Sequence, residues 1–394
     1  MKKIILLLAI TGILSAQEHA DSGITFEHGT WSEAIKKAKK QNKLIMLDAY
    51  ASWCGPCKWM AKNIFPKQDV GAFYNSNFIN VKIDMEKGEG IQLSQKYGVM
   101  AYPTFFFIDG SGAVVHQVCG GQEAEEFIQS GKNALNEQTR ISTLENKFSG
   151  SPKNPELASL YFNSAEKACI DVEPRVRTYL EGITPSDYIN NTNFELIEKF
   201  IMDYNHVSVA NILNEYDAFS TKFTKERIDN KLKNVYAGAI LSACKKGDEG
   251  LLSAVQSSYR KQKNSPSSWL NDFSDMMWAD AKNDTVAYFP AAVKFCNANY
   301  REDWQQLNSM AWTFYERTSN ENYLSIATDW VLKSIQLQKE YANMDTYAAL
   351  LYKRKKYPDA KKVAEEAIAL GKQSNEPTVE TEALLEKINA EIKK

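Results

Sequence analysis

Cys54 and Cys57 stand two residues apart in the stretch SWCGPCKWM (Ser52 to Met60), with Gly55 and Pro56 between them and Trp53 and Trp59 outside. Such a pair can carry electrons, hold a metal or staple a loop. A zinc site needs further ligands, and none of the four histidines, His19, His28, His116 and His206, is paired with another cysteine at zinc-finger spacing. A bridge across two residues closes too short a loop to add much stability. Thiol–disulfide exchange is the remaining chemistry. It requires a thiolate that attacks and a second thiol near enough to resolve the mixed disulfide. If a helix opens just after Cys54, that cysteine lies at its N-terminus, partly exposed, where free amide groups and the helix dipole favour a negative sulfur. Pro56 suits the opening turn, because its missing N–H would have no partner there. Cys57 then falls inside the first turn and is shielded, so Cys54 is expected to attack and Cys57 to resolve.

The pair has to be held by elements that the hydrophobic pattern outlines. KLIMLDAY (Lys43 to Tyr50) and FINVKIDM (Phe78 to Met85) are strand-like runs, and TFFFIDGSGAVVHQVCGG (Thr104 to Gly121) reads as two strands joined by a turn at Asp109 to Gly112. Helical patterns lie around SEAIKKAKKQN, KWMAKNIFPKQDVGAFYN, GIQLSQKYGV and EAEEFIQSGKNALNEQ. This alternation predicts an α/β domain over residues 24–140, with a central mixed sheet flanked by helices. Beyond Phe148-Ser149-Gly150-Ser151-Pro152 only helical spacing is found, which predicts an all-α region from residue 152 onward. Ala360, Ala364 and Ala367 have counterparts thirty-three positions earlier at Ala327, Val331 and Ser334. Residues 301–394 therefore resemble tetratricopeptide repeats, whose period is ~34 residues and whose small residues let paired helices approach. Residues 152–300 are expected to be helical, as degenerate members of the same stack.

Several features agree in order and spacing with the thioredoxin family. KLIMLDAYASWCGPCKWM, KYGVMAYPTFFFIDGSG and the VCGG strand end carry the resemblance, over about Gly23 to Glu137. The resemblance implies a buried carboxylate beneath the pair at Asp48, six residues before Cys54, acting as proton acceptor when Cys57 must ionise. It implies a cis-proline segment, Tyr102-Pro103-Thr104, that lies opposite the pair and binds a substrate peptide as an added strand; only X–Pro bonds take the cis form at a cost of ~1 kcal/mol. Trp53 is then an apolar docking surface, and Gly120 the glycine after the last strand. The lysine that thioredoxins often keep near this Asp aligns with Asn80, while Lys82, two residues on, faces the same side. Tyr102 is bulkier than usual and narrows the docking site. Cys119 stands where an aliphatic residue is usual and is expected to be a half-buried packing cysteine, with an accessory thiol as the alternative.

The rest of the sequence bounds the setting. Lys2, Lys3, an apolar run from Ile4 to Leu14 and small Ser15 and Ala16 have the layout of a signal peptide cleaved near Ala16. The run is about half the ~20 residues that span a bilayer, so residues 1–16 are expected to be removed, leaving an exported, periplasmic protein with no stable membrane span. A net charge of −2 over 394 residues gives no basis for nucleic-acid binding. Cys169, Cys244 and Cys296 sit in apolar helical surroundings and are expected to be buried free thiols, with a bridge between two of them as the alternative in an oxidising compartment; His116, alternating with apolar neighbours, is expected to face solvent. The function expected is that of a thiol–disulfide oxidoreductase, needing no metal or cofactor, that reduces protein disulfides, draws on an electron donor and binds a protein partner through its helical repeats. The alternatives are a disulfide oxidase or isomerase, or a binding and assembly protein whose thioredoxin module mainly docks.

Overall fold

A computed structural model describes residues 23–260 and 266–394, so the expected signal segment lies outside the described residues. The chain forms two compact units, one ending at Phe200 and one from Ile201 to Lys394.

The first unit runs α1 (Trp31–Gln41), β1 (Leu44–Tyr50), α2 (Gly55–Asn63), α3 (Gln68–Asn77), β2 (Phe78–Asp84), α4 (Gly90–Tyr97), β3 (Thr104–Ile108), β4 (Val114–Cys119) and α5 (Ala124–Leu135). The sheet order is β2-β1-β3-β4, with β1 parallel to β2 and antiparallel to β3, and β3 antiparallel to β4. This is the expected mixed sheet, and both its faces are covered. Ile45, Leu47, Phe106 and Ile108 pack on one side with Trp31 and Leu93. Met46, Phe105 and Phe107 pack on the other with Met60, Ile64, Tyr74 and Phe127. Side chains alternate across a strand, so Asp48, two residues beyond Met46, is directed to the face that α2 covers. The single helical pattern read over KWMAKNIFPKQDVGAFYN is two helices. The chain leaves α2 at Asn63 and re-enters helix at Gln68, and Pro66 between them has no amide hydrogen to continue the first.

Four more helices complete this unit: α6 (Ile141–Gly150), α7 (Pro155–Lys167), α8 (Glu173–Glu181) and α9 (Asn191–Phe200). Their packing overturns two expectations. His116 on β4 does not face solvent but is buried, because α6 covers it and the Ile141 amide donates to its Nδ1 at 3.2 Å. Cys119 and Cys169 are not packing or free thiols but form a disulfide. Cys169 follows α7 in a left-handed turn, φ 53°, and Gln117 Nε2 donates to the preceding Ala168 carbonyl at 2.8 Å, fixing that turn on the sheet's edge strand. The bridge closes a loop of 50 residues, a constraint worth ~4 kcal/mol in the chain-entropy account.

The buried histidine has a consequence for pH. Burial first, and the Arg140 charge second, push its pKa down from 6.5 to about 4. A group whose folded pKa is depressed stabilises above its unfolded value, and that stability is lost as pH falls toward the folded one. Lowering the pH from 6.5 to about 4 is expected to cost the first unit on the order of 3 kcal/mol through this residue. Urea titrations at the two pH values measure the loss. His116→Gln, which keeps an acceptor for the Ile141 amide, should flatten it.

The second unit is all helical among the described residues. The helices Trp304–Arg317 and Glu321–Leu337, and then Tyr341–Lys353 and Tyr357–Gln373, pack as successive pairs. Ala327, Val331, Ser334, Ala360, Ala364 and Ala367 are all fully buried, as close approach of paired helices requires. Cys244 and Cys296 are free and buried, as expected. No helix among the described residues is long and apolar enough to cross a membrane.

Candidate functional site

The turn from β1 into α2 builds the site. Cys54 has extended backbone geometry and is the N-cap of α2, Pro56 lies in the first turn, and the Cys57 amide donates to Cys54 Sγ at 3.1 Å. No acidic residue occupies that turn. A sulfur held so, at the positive end of a helix dipole and with an amide hydrogen bond, is favoured as a thiolate. Cys54 and Cys57 are joined as a disulfide. Cys54 is not partly exposed as expected: at 2% accessibility, it is covered in this oxidised form because Tyr50 and Tyr102 pack over the bridge.

Asp48 is 1% exposed. Its register partner across the parallel β1–β2 pair is Lys82, whose Nζ lies 2.7 Å from Oδ2. Oδ1 has no hydrogen-bond partner. Burial raises the Asp48 pKa, and the Lys82 charge and hydrogen bond oppose that rise without cancelling it. Such a carboxyl is more basic than an exposed one and keeps an oxygen free to take a proton. The lysine is therefore at Lys82 and not at Asn80, which pairs in register with Met46. Lys82 Nζ also stands 4.4 Å from the centre of the Tyr50 ring, so one ammonium group ties the carboxylate to a ring that covers the disulfide.

The loop before β3 supplies the opposite wall. The Tyr102–Pro103 peptide is cis. The Pro103 carbonyl accepts from the Gly120 amide at 2.8 Å, with Gly120 at φ 87°, a conformation that side chains resist. Thr104 is buried, and its hydroxyl donates to the Ala101 carbonyl at 2.7 Å, which shapes the loop. Trp53 is 66% exposed, yet its ring meets Tyr102 edge to face at 5.9 Å and its Nε1 donates to Glu86 at 2.9 Å. Cys54, Cys57, Trp53, Tyr102, Pro103 and Gly120 are thus brought together, with Asp48 on the face beneath α2. Cys119 lies at the end of β4, paired in register with Thr104, and is bound to Cys169. Sequence reasoning missed Glu86, which fixes Trp53; it is 33 residues away in a loop with no motif. It also missed Tyr50 as a cover of the disulfide.

A family model described as a thioredoxin-like domain matches residues 31–135. Thioredoxin H4 of Arabidopsis thaliana is 37% identical over 95 residues, which are 24% of this chain and 75% of that protein. The thioredoxin of Echinococcus granulosus is 37% identical over 100 residues, 25% of this chain and 87% of its own length. A solution structure from Bacteroides thetaiotaomicron, described as a candidate disulphide-isomerase, is 43% identical and covers 29% of this chain and 95% of its own, with a TM-score of 0.28.

Proposed function

This chain belongs to the thioredoxin family, and from that premise we propose that it is an exported thiol–disulfide oxidoreductase that works as a reductase of protein disulfides. The observation that carries the reading is Cys54 at the N-cap of α2, its sulfur accepting the Cys57 amide hydrogen bond. Cys54 attacks a substrate disulfide as thiolate, and Cys57 resolves the adduct after giving its proton toward Asp48. Trp53, Tyr102, Pro103, Thr104 and Gly120 form the substrate wall, where the extended backbone of a peptide can pair with the loop. The signal layout of residues 1–16 supports a periplasmic location. The Gly55-Pro56 dipeptide favours electron flow toward the substrate.

The test is insulin reduction by the exported chain with a chemical dithiol as donor, followed by equilibration of Cys54–Cys57 in redox buffers. Turnover and a potential near −270 mV are expected, whereas a value near −120 mV, that of a strong oxidant, overturns the reductase direction. The two helix pairs between Trp304 and Gln373, packed through small buried residues, support a role in holding the protein partner. They also favour a second reading, a binding or assembly protein whose thioredoxin-like domain serves mainly to dock. A wild-type chain inactive on insulin decides for that reading.

A further inference from the structure

Four cysteines of the first unit form two disulfides, and the second begins at the end of a strand whose next residues run beside the site of the first. Cys119 ends β4 opposite Thr104, the residue after the cis-proline. The next residue, Gly120, donates its amide to the Pro103 carbonyl. A Cβ on the residue after that, Gly121, would lie 3.7 Å from Pro56 Cβ and 3.8 Å from Trp59 Cε3, both on the helix that Cys54 caps. The chain from Cys119 to Gly121 therefore passes from the proline loop to the wall of α2 in three residues. Cys119 is half-buried and Cys169 exposed, so the bridge is open to exchange in a way that a core disulfide is not.

We propose that Cys119–Cys169 is a second redox-active disulfide, reduced within the same chain by the Cys54/Cys57 dithiol. The inference rests on Cys54 being the attacking thiolate of the proposed reductase. An external dithiol first reduces Cys54–Cys57. Cys54 thiolate then attacks Cys119 Sγ, forming a Cys54–Cys119 bond and expelling Cys169 as thiolate. Cys57, once deprotonated, attacks Cys54 Sγ, restores the Cys54–Cys57 disulfide and releases Cys119. Two electrons and two protons have then passed from the first pair to the second. The opened bridge leaves Gln117 to Ala168 as the hydrogen bond holding the α7–α8 turn to β4. It also loosens a wall of the cavity of about 450 Å3 that β4 and α7 share, lined by His116, Val118, Cys119, Leu160 and Ser164. The chemistry of the first disulfide thereby sets how firmly the following helices are fastened to the sheet.

Timed alkylation and peptide mapping of the full chain after addition of dithiothreitol test this. In wild type the Cys119 and Cys169 thiols should appear at least about tenfold faster than in Cys54→Ala. In Cys57→Ala/Cys169→Ala, glutathione disulfide should close a Cys54–Cys119 bond within the monomer. Equal opening rates with and without Cys54, or a double variant that gains only glutathione adducts or cross-links between chains, overturns the proposal. A wild type that reduces insulin while showing equal opening rates overturns this inference alone and leaves the reductase reading standing.

Discussion

Cys54→Ala is expected to reduce insulin turnover to the background rate of the chemical donor, whereas Cys57→Ala should stop halfway and accumulate a mixed disulfide between Cys54 and the substrate. The asymmetry follows from the first turn of α2. Only Cys54 stands at the N-cap, where its sulfur receives an amide hydrogen bond and meets no carboxylate, so only it is favoured as thiolate at neutral pH. Burial does not separate the two, Cys54 being 2% and Cys57 3% exposed in the oxidised form; Cys57 differs in lying inside the helix, past the N-cap. Removing Cys54 removes the first bond-forming step, and removing Cys57 leaves that step and deletes the resolution. Non-reducing electrophoresis of each variant with insulin distinguishes the two outcomes. An adduct that builds up in Cys54→Ala and not in Cys57→Ala would reverse the two roles.

What the sequence made legible is what local rules control. The strands around Asp48 and Phe106 are runs of apolar residues bounded by turn residues, and the helix after Cys54 is announced by Pro56; both form close to where the pattern puts them. The Ala360, Ala364 and Ala367 series stands out because a small side chain at helical spacing has few uses besides close helix contact. What was hidden depends on which distant segment covers which surface. His116 alternates like an exposed residue, and only the docking of α6 through Ile141 buries it. Cys119 and Cys169 are fifty positions apart, and pairing them requires knowing that the α7–α8 turn settles on the edge strand. Glu86 has no property of its own that marks it; it matters because the loop after β2 lies beside Trp53. The partial exposure expected of Cys54 failed in part for the same reason, since Tyr102, from the loop before β3, packs against the pair together with the nearby Tyr50.

Asp48→Asn should lower the steady-state rate of insulin reduction at neutral pH by about 10²-fold or more, the scale of a lost general base, and should make the protein more stable. Both effects come from one buried carboxyl. Its Oδ1 is unpartnered while Oδ2 holds Lys82, so a proton leaving Cys57 has an oxygen to go to, and asparagine offers no basic site in its place. Burial dominates the raised pKa of Asp48, with Lys82 opposing. The protonated carboxyl is therefore the form the fold prefers. A raised folded pKa means a contribution to stability that is complete below the ordinary value of 3.8 and lost as pH rises through the folded value. The neutral amide does not suffer that loss and still offers Lys82 Nζ an acceptor. The two proteins should unfold at the same urea concentration at pH 3.5, and the variant should need more urea at pH 7. The wild-type rate should climb with pH as Asp48 ionises, a limb the variant lacks. A variant both slower and less stable at pH 7 would instead mean that the carboxylate serves to anchor Lys82, and the proton would have to leave Cys57 by another route.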